Sequence, residues 1–452
     1  MTPPAAGSAG PGQGTVVLVG AGLGGSLLAI LLGRAGYAVR GFDLRPDPRS
    51  QPIQAGRSIN LALSARGIHA LEQAGLAREV LAMAVPMRGR MIHAAGGRTD
   101  FQPYGTRADQ VNHSVSRGEL NLALVNAAEK LPNVRFEFGH KCEAVDPDRG
   151  EVLLAESGSG RRLGVEGDVV VGADGAFSVV RRHLMKQDRF DYSQSFLSHG
   201  YKELTIPPGP GGRFLLEKNA LHIWPRGGFM MIALPNRDAS FTCTLFLPFA
   251  GENSFASLLT GAEVERFFAS AFPDALPLLP DLAGQYAANP TGSMVTIRCS
   301  PWRHRGRVVL LGDAGHAVVP FHGQGANAAF EDCVVLADCL RRHAPDREAA
   351  FASFERRRRE NTDALASLSI ANFEEMKHHT GSRLFLAGKA LEKGLHRLLP
   401  SWFVPLYMMI SFTLIPYAEA RRRARRQARA LASAAAAALL VAVALLLWFS
   451  RG

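Results

Sequence analysis

The sequence predicts an α/β fold: a Rossmann-type dinucleotide-binding domain, interrupted by an inserted antiparallel β-sheet domain and followed by a helical C-terminal region that ends in a transmembrane helix. Three observations carry this prediction. A glycine-rich loop at residues 20–25 joins an apolar β-branched run to a helical run. A second glycine-rich loop, also leading into a helix, lies within residues 312–332. Residues 431–449 form an uncharged apolar stretch near the C-terminus.

Composition limits the function classes. With 452 residues, of which 47% are hydrophobic and 20% charged, the chain suits two domains or one large domain with an insertion. Its five cysteines include no CxxC pair, which argues against a disulfide framework and a zinc site and favours a reducing compartment, so no metal is expected. The net charge of +11 is not interleaved with aromatic residues, and no nucleic-acid motif is present, so no nucleic-acid partner is expected.

Much of the positive charge lies in RRRARRQAR, residues 421–429, just before LASAAAAALLVAVALLLWF, residues 431–449. Nineteen uncharged residues are about the length that crosses a bilayer core. The flanking arginines are expected to stay cytoplasmic, so the body of the protein would face the cytoplasm. The alternative is a buried alanine-rich helix that closes the core. Residues 1–13 lack a basic and an apolar region and are predicted to be a flexible leader.

The first glycine loop follows the predicted strand Thr15–Val19 and precedes a helix. Gly20 suits the tight turn, Gly22 the close approach of backbone amides to a pyrophosphate, and Gly25 the packing of helix against strand. Asp43 ends the next predicted strand, 23 residues after Gly20, where a carboxylate suits the ribose hydroxyls of an adenosine. The loop therefore predicts binding of the ADP half of FAD or NAD, and it does not distinguish them.

The remaining chain departs from the alternating strands and helices of a plain NAD dehydrogenase. A helix is predicted from Ser64 to Leu71, strands with turns over 134–171, a buried strand at Val169–Gly172 with Asp174-Gly175 opening a helix, and antiparallel strands over 200–249. The nucleotide fold is expected to resume at Arg307–Leu311. The predicted organisation is a leader (1–13), a nucleotide-binding domain in two parts (14–185 and 301–345), an inserted sheet domain (186–300), a helical cap (346–420) and a basic flank with a transmembrane anchor (421–452).

The GxGxxG loop, the mid-chain DG and the late GD motif together resemble the class A FAD-dependent aromatic hydroxylases. The chain resembles the kynurenine 3-monooxygenase family over roughly residues 14–417. The strings that carry this resemblance are GRSINLALSARG (56–67), GRMIH (89–93), QPYGTR (102–107), SVSRGELN (114–121), RFDYSQSFLSHGYKELTIPP (189–208), LHIWPRGGFMMIALPN (221–236), SFTCTLFLPF (240–249) and PFHGQGANAAFEDC (320–333).

The resemblance implies an FAD-binding domain and a flavoprotein that uses NADPH and O2 to convert L-kynurenine to 3-hydroxy-L-kynurenine through a flavin C4a-hydroperoxide. No side chain is then needed for catalysis, because the flavin supplies the chemistry. The pathway implied is tryptophan catabolism, or quinolinate supply for NAD biosynthesis. An alanine- and arginine-rich composition hints at a bacterium, in which the tail would enter the inner membrane.

The resemblance also implies the residues of the two sites. The glycine loops hold opposite ends of FAD, with helix amides beside the flavin edge that gains charge on reduction. The implied cofactor residues are Gly20, Gly22, Leu23, Gly25, Asp43, Arg45, Ala62, Arg117, Cys142, Asp174, Asp313, Gly323, Gln324, Gly325, Ala326 and Asn327.

The implied substrate residues are Arg90, Tyr104, Asn372, Met376 and Tyr407, with Phe246, Met230 and Ile232 as apolar walls. Arg90 and Tyr104 would clamp the substrate carboxylate. From the residues alone, a surface arginine and a core tyrosine would be the simpler interpretation. His316 is interpreted as structural, and His322 is expected to line the site without proton chemistry.

Two alternatives remain open at this point. A related flavoprotein with an apolar substrate, such as a squalene epoxidase or a ubiquinone-ring hydroxylase, would not need Arg90 and Tyr104 to bind a carboxylate. A membrane-tethered flavin protein without turnover, acting as a redox sensor or scaffold, would keep the glycine loops but not the substrate residues.

Overall fold

The computed structural model describes residues 14–50, 60–378, 388, 392, 394–400 and 402–450, so the predicted leader at 1–13 lies outside the described residues. Within these ranges the labelled strands are β1 (Thr15–Val19), β2 (Ala38–Asp43), β3 (Asn60–Leu63), β4 (Val85–Met87), β5 (Gly89–His93), β6 (Thr99–Pro103), β7 (Asn112–Ser116), β8 (Val134–Phe138), β9 (His140–Asp146), β10 (Glu151–Glu156), β11 (Arg162–Glu166), β12 (Val169–Gly172), β13 (Asp191–Ile206), β14 (Ala220–Pro225), β15 (Met230–Pro235), β16 (Phe241–Pro248), β17 (Gly292–Ser300), β18 (Arg303–His304) and β19 (Val308–Leu310). The labelled helices are α1 (Leu23–Arg34), α2 (Ala65–Gln73), α3 (Ala77–Met83), α4 (Arg117–Glu129), α5 (Val179–Leu184), α6 (Gly261–Ala271), α7 (Leu282–Ala288), α8 (Asp313–His316), α9 (Gly325–His343), α10 (Arg347–His378), α11 (Leu406–Phe412) and α12 (Tyr417–Phe449).

A six-stranded sheet in the order β18-β19-β12-β1-β2-β8 forms the nucleotide-binding half. Its strands pair in parallel except β18, which runs antiparallel to β19. β1, β12 and β19 are almost entirely buried, as expected of parallel strands covered on both faces. The predicted α/β class is confirmed, and the strand expected at Arg307–Leu311 is one residue shorter at each end.

A seven-stranded sheet in the order β17-β13-β16-β15-β14-β5-β6 forms the second half. It is antiparallel apart from the parallel pair β14 and β5. The inserted sheet was expected within 186–300, but β5 and β6 come from residues 89–103 and complete one edge. That edge brings Arg90 of β5 into this sheet.

The turn after β12 corrects one sequence expectation. Asp174-Gly175 does not open a helix, because α5 begins only at Val179 and is capped by the hydroxyl of Ser178, which accepts from Arg181 N–H at 2.9 Å. Gly175 has a φ of +78°, which breaks the chain away from helical geometry. The carboxylate of Asp174 reaches the new helix instead and accepts from Val179 N–H at 2.6 Å.

The C-terminal helix α12 begins inside the fold and ends outside it. Tyr417, Ala418 and Ala420 are 0–2% exposed, whereas the apolar window of the helix has none of its residues buried. By length and composition, Tyr417–Leu445 is long and apolar enough to cross a membrane. The alternative of a buried alanine-rich helix closing the core is therefore wrong.

Candidate active site

The first glycine loop has glycines that the chain itself requires. Gly20 has a φ of +104°, and a Cβ there would lie 2.4 Å from the carbonyl oxygen of Ala173. A Cβ at Gly25 would lie 2.0 Å from the carbonyl oxygen of Gly20. Because real contacts are never this short, both positions need glycine for the turn and the helix to pack together.

Gly22, the N-cap residue of α1, differs from these two. Its Cβ would meet only a guanidinium nitrogen of Arg45, at 3.6 Å, which is an ordinary contact. No steric feature of the described chain therefore requires glycine at this position. The space that glycine preserves lies at the N-terminus of a helix of 12 residues, where backbone N–H groups favour an anion such as a pyrophosphate.

Asp43 ends β2 and is 6% exposed. Its carboxylate accepts from Ala21 N–H at 2.8 Å and from Arg45 Nε and Nη2 at 2.9 and 2.8 Å. Burial opposes the charge, but Arg45 and the Ala21 amide outweigh it and hold the pKa of Asp43 below its usual value. In this conformation the carboxylate fixes the glycine loop and orients Arg45, whose side chain is 56% exposed beside Gly22.

Asp174 and Cys142 border the same loop. Asp174 follows β12, and its backbone nitrogen lies against Gly20. Among the described residues, its buried Oδ1 has no hydrogen-bond partner, and burial raises the pKa of its carboxyl. Cys142 of β9 is close enough for Asp174 to act on its thiol; burial first, and then Asp174, raise the thiol pKa to about 12. The structure therefore brings these two implied cofactor residues close to each other.

The second glycine loop is braced by one buried amide. Asn327 is 0% exposed; its Nδ2 donates to the carbonyls of Ala62 and Gly323, both at 2.8 Å, and its Oδ1 accepts from Ser64 N–H at 2.9 Å. These bonds tie the loop to β3 and to the start of α2. Gly325, like Gly22, would tolerate a Cβ, since its nearest neighbour would be Val318 at 3.8 Å.

The two loops, 290 residues apart in sequence, lie side by side in space. A Cβ at Gly24 of α1 would lie 3.6 Å from the methyl group of Ala329 in α9, and the Cys333 thiol donates to the carbonyl oxygen of Gly24 at 3.1 Å. Both helix N-termini therefore border one region, as a single elongated dinucleotide requires. This contact also explains why one chain carries two such loops.

Asp313 and Arg117 are two further residues that the resemblance implies for the cofactor. Asp313 begins α8, and Arg117 begins α4 directly after β7. Desolvation raises the pKa of Asp313, and the nearby charges of His316 and Arg117 act in the opposite direction. Arg117 therefore lies close enough for its charge to act on Asp313.

Behind this region lies a buried ionic network. Asp332 is 0% exposed and binds His316 Nε2 at 2.5 Å, Gly312 N–H at 3.1 Å and Arg358 Nε at 2.6 Å. Burial opposes its charge, but His316 and Arg358 outweigh this and keep the pKa of Asp332 low. His316 is itself buried and stacks near Trp302 at 5.0 Å, which supports its interpretation as a structural residue.

A link from the C-terminal helix to the second glycine loop was not expected from the sequence. Tyr417, the first residue of α12, donates its hydroxyl to Gln324 Oε1 at 3.0 Å, and Ser64 Oγ donates to the same oxygen at 3.2 Å. The guanidinium of Arg66, 1% exposed, lies 4.0 Å from the centre of the Tyr417 ring. The helix that carries the candidate membrane span therefore begins against the second glycine loop.

We expect Tyr417→Phe to lower stability by about 1 kcal/mol, the usual net value of one buried hydrogen bond. It should also weaken retention of FAD a few-fold, because Gln324 then keeps only Ser64 as a donor. Thermal denaturation and flavin absorbance after gel filtration measure the two effects. Tyr192→Phe is a control, since the Tyr192 hydroxyl bonds the exposed Gln194. Unchanged FAD retention in Tyr417→Phe would show that this contact only supports the fold.

Two of the expected substrate residues, Tyr104 and Tyr407, pack around a third, Arg90. Its guanidinium carbon lies 4.6 Å from the ring centre of Tyr407 and 5.7 Å from that of Tyr104, and the two phenols stack at 5.3 Å. Its buried Nε has no hydrogen-bond partner in the described chain. Burial opposes the charge of Arg90, but Tyr407, Tyr104 and Glu375 outweigh it and raise the pKa of the guanidinium. Burial raises the pKa of Tyr104, so its hydroxyl is a neutral donor. An enclosed cation beside phenol donors suits a carboxylate.

Asn112 of β7 completes this cluster and was missed by the sequence analysis. It is 3% exposed, and its Nδ2 donates to the Tyr407 hydroxyl at 2.8 Å. Because the phenol oxygen accepts this bond, its own hydrogen is free to be donated elsewhere. The partners are 295 residues apart, so no local pattern could have predicted the contact.

Asn372 of α10 lies at the other side of the site. Its Nδ2 donates to the carbonyl oxygen of Phe321 at 2.6 Å, just before the second glycine loop. Met376 lies one turn later in α10, but its side chain is outside the described residues. Phe321 packs against Phe246 at 5.1 Å, in an apolar cluster that also holds Met230, with Ile232 at its edge. The expected walls thus form one apolar surface near the loop.

Comparison with known proteins agrees with this geometry. A family model described as "FAD binding domain" matches residues 13–369. The kynurenine 3-monooxygenase of Myxococcus xanthus is 51% identical over 406 residues, covering 90% of this chain and 87% of the relative. Those of Salinispora arenicola and Dictyostelium discoideum are 50% and 46% identical, and each comparison covers 90% of both chains.

Solved structures of lower identity share the fold. The tetrameric 2-methyl-3-hydroxypyridine-5-carboxylic acid oxygenase has a TM-score of 0.67 at 24% identity, covering 82% of this chain and 95% of that one. PqsL of Pseudomonas aeruginosa, solved with 2-aminobenzoylacetate, has a TM-score of 0.62 at 23% identity, covering 83% and 98%. At these identities the likeness concerns the fold alone.

Proposed function

Since the chain belongs to the kynurenine 3-monooxygenase family of FAD-dependent aromatic monooxygenases, we propose that it hydroxylates L-kynurenine to 3-hydroxy-L-kynurenine. NADPH supplies the electrons and O2 the inserted oxygen atom. The reaction serves tryptophan catabolism or the supply of quinolinate for NAD biosynthesis.

The observation that carries the substrate proposal is the cluster of Arg90, Tyr104 and Tyr407. The guanidinium lies within 6 Å of two phenol rings, and its Nε has no hydrogen-bond partner among the described residues. L-Kynurenine is an amino acid, so its carboxylate matches this cluster in charge and in hydrogen-bond polarity. A squalene- or quinone-type substrate has no carboxylate for this guanidinium and these phenol donors to bind, which disfavours it.

The residues present fit FAD, because glycine at positions 22 and 325 preserves space that the chain does not otherwise need. Gly20, Gly22, Leu23 and Gly25, with Arg45, would hold the pyrophosphate, and residues 323–327 with Asp313 would border the flavin. Bound FAD supplies the electron transfer and oxygen activation. The protein contributes orientation by the clamp and exclusion of water by the walls near Phe246.

The decisive experiment uses the full-length protein, purified in detergent and checked for flavin absorbance. NADPH and O2 are supplied with and without L-kynurenine, and products are separated by chromatography. We expect 3-hydroxykynurenine in amounts that match the NADPH consumed. A flavin-containing protein that neither oxidises NADPH faster with kynurenine nor oxygenates it would refute the substrate assignment.

The same proposal extends to location: α12 anchors the protein in a membrane. The exposed apolar part of this helix supports the proposal. The arginines before residue 431 keep the catalytic body on the cytoplasmic side, in a bacterium at the inner membrane. Membrane fractions washed with alkaline carbonate should retain the protein. Release into the wash would contradict a spanning helix.

Substitutions at Asn112 test whether the Tyr407 hydroxyl donates a hydrogen bond to the substrate carboxylate. Asn112→Asp would accept the Tyr407 proton and add a negative charge beside the substrate carboxylate, so kcat/KM for L-kynurenine should fall on the order of a hundredfold. Asn112→Leu leaves the phenol free to donate and should cost on the order of tenfold or less. Steady-state kinetics at equal FAD content measures both. Equal losses in the two variants would mean that Asn112 acts through packing and not through the Tyr407 hydroxyl.

A further inference from the structure

A cavity lies where α12 leaves the body of the protein. It has a volume of about 290 Å³, at the small end of ligand sites, so it suits a headgroup-sized ligand better than a whole lipid. It is lined by Trp402, Val404, Met409, Ile415, Arg423, Arg426, Gln427 and Ala430. The lining thus combines apolar walls with two arginines on one helix.

The cavity has a defined wall and an apolar surround. Gln427 Nε2 donates to the carbonyl oxygen of Trp402 at 3.2 Å, which holds the tryptophan against α12. Trp402 is 55% exposed although it lines the cavity, so its ring lies at the opening. Leu398 and Leu414, 79% and 50% exposed, add apolar surface on the flanking segments. Exposed tryptophan and leucine beside arginine are typical of a membrane–water interface.

The two arginines differ in whether an ion pair balances their charge. Arg423 Nε pairs with Glu419 at 2.8 Å. Arg426 forms no ion pair with any carboxylate of the described ranges. The cavity therefore has a net positive charge, and an anion is the complementary occupant.

The position along α12 identifies the source of that anion. At 1.5 Å per residue, Arg426 lies about 7.5 Å and Arg423 about 12 Å before Leu431, where the apolar stretch begins. The polar layer on each side of a bilayer is roughly 5–8 Å thick. The Cα atom of Arg426 thus lies at the outer part of this polar layer. That of Arg423 lies about 4 Å beyond it, where a long arginine side chain can extend back to the phosphates.

We propose that this cavity binds the phosphate of an anionic phospholipid, with Arg426 and Arg423 as donors, Trp402 at the cavity opening and the acyl chains along the exposed face of α12. The proposal rests on the membrane anchoring proposed above. A juxtamembrane arginine near an anionic surface changes lipid affinity on the order of fivefold. The assigned site would make binding depend on two particular arginines rather than on the whole basic run.

The test uses full-length, FAD-containing protein in nanodiscs of phosphatidylcholine alone or of phosphatidylcholine with phosphatidylglycerol. Thermal denaturation reports binding, because a ligand that binds only the folded state raises its midpoint. We expect phosphatidylglycerol to stabilise the wild type and to lose this effect in Arg423→Ala/Arg426→Ala. The matched control is Arg425→Ala/Arg429→Ala, which removes two charges from the same helix outside the cavity lining and should keep the effect.

The outcomes separate the two proposals. Equal loss of the effect in both double variants would show diffuse attraction and overturn the site, as would an unstabilised wild type. If inorganic phosphate added to phosphatidylcholine nanodiscs reproduces the stabilisation, the site takes a free anion and the lipid assignment is wrong. Failure to enter nanodiscs of either composition would instead refute the membrane anchoring, and the lipid site with it.

Discussion

Arg90→Ala is expected to raise the KM for L-kynurenine on the order of a hundredfold, while the FAD content and the thermal denaturation midpoint stay close to those of the wild type. Removing one member of a buried, hydrogen-bonded charge pair costs roughly 2–5 kcal/mol. Arg90 lies between Tyr104 and Tyr407, and its buried Nε has no partner among the described residues. This nitrogen is therefore available to the substrate carboxylate, and the loss should appear in binding.

Arg88→Ala is the matched control. Arg88 lies two residues earlier, is exposed, and its removal changes the net charge equally. Arg90→Lys should recover part of the affinity, since lysine keeps the charge but not the planar fork of donors. Turnover of Arg90→Ala at wild-type KM would show that the cluster does not hold the carboxylate. The assignment of an amino-acid substrate would then lose its structural support.

The features that could be predicted from the sequence are those set by local chain geometry. β1, the glycine turn and α1 lie within about twenty residues, so spacing and residue type determine them together. The uncharged stretch before Phe449 is likewise local, and a helix over it is observed. The resemblance supplied the rest of the site, because Arg90, Tyr104 and Tyr407 belong to three separate segments.

The features that could not be predicted depend on contacts between distant segments. β5 pairs with β14 across 131 residues, in register from Gly89 with Ala220, and nothing in either strand specifies this partner. The bond from Asn112 to Tyr407 and that from Tyr417 to Gln324 join elements that pack only in the complete fold. The start of α5 at Val179 was missed for a local reason, since Gly175 extends the turn after Asp174.

The largest effect on the cofactor is expected from Gly22→Ala, which should abolish FAD retention while leaving the apoprotein folded. A methyl group at this position would meet the chain only at Arg45, 3.6 Å away, so folding has little reason to suffer. A pyrophosphate held by the N-terminal amides of α1 would need the same space. The variant should lack flavin absorbance after purification, keep the far-ultraviolet circular dichroism of the wild type, and show no kynurenine-dependent NADPH oxidation.

Two neighbouring glycines make this prediction selective. Gly24→Ala adds a methyl group 3.6 Å from Ala329 and Leu311, an ordinary contact inside the fold, so it should retain both stability and FAD. Gly25→Ala would force its Cβ to 2.0 Å from the Gly20 carbonyl and should destabilise the fold itself, with low soluble yield. The order expected is therefore flavin loss without unfolding at position 22, tolerance at 24, and unfolding at 25. Normal FAD binding by Gly22→Ala would contradict the proposed pyrophosphate site at the N-terminus of α1, because the cofactor would then not need the space that Gly22 preserves.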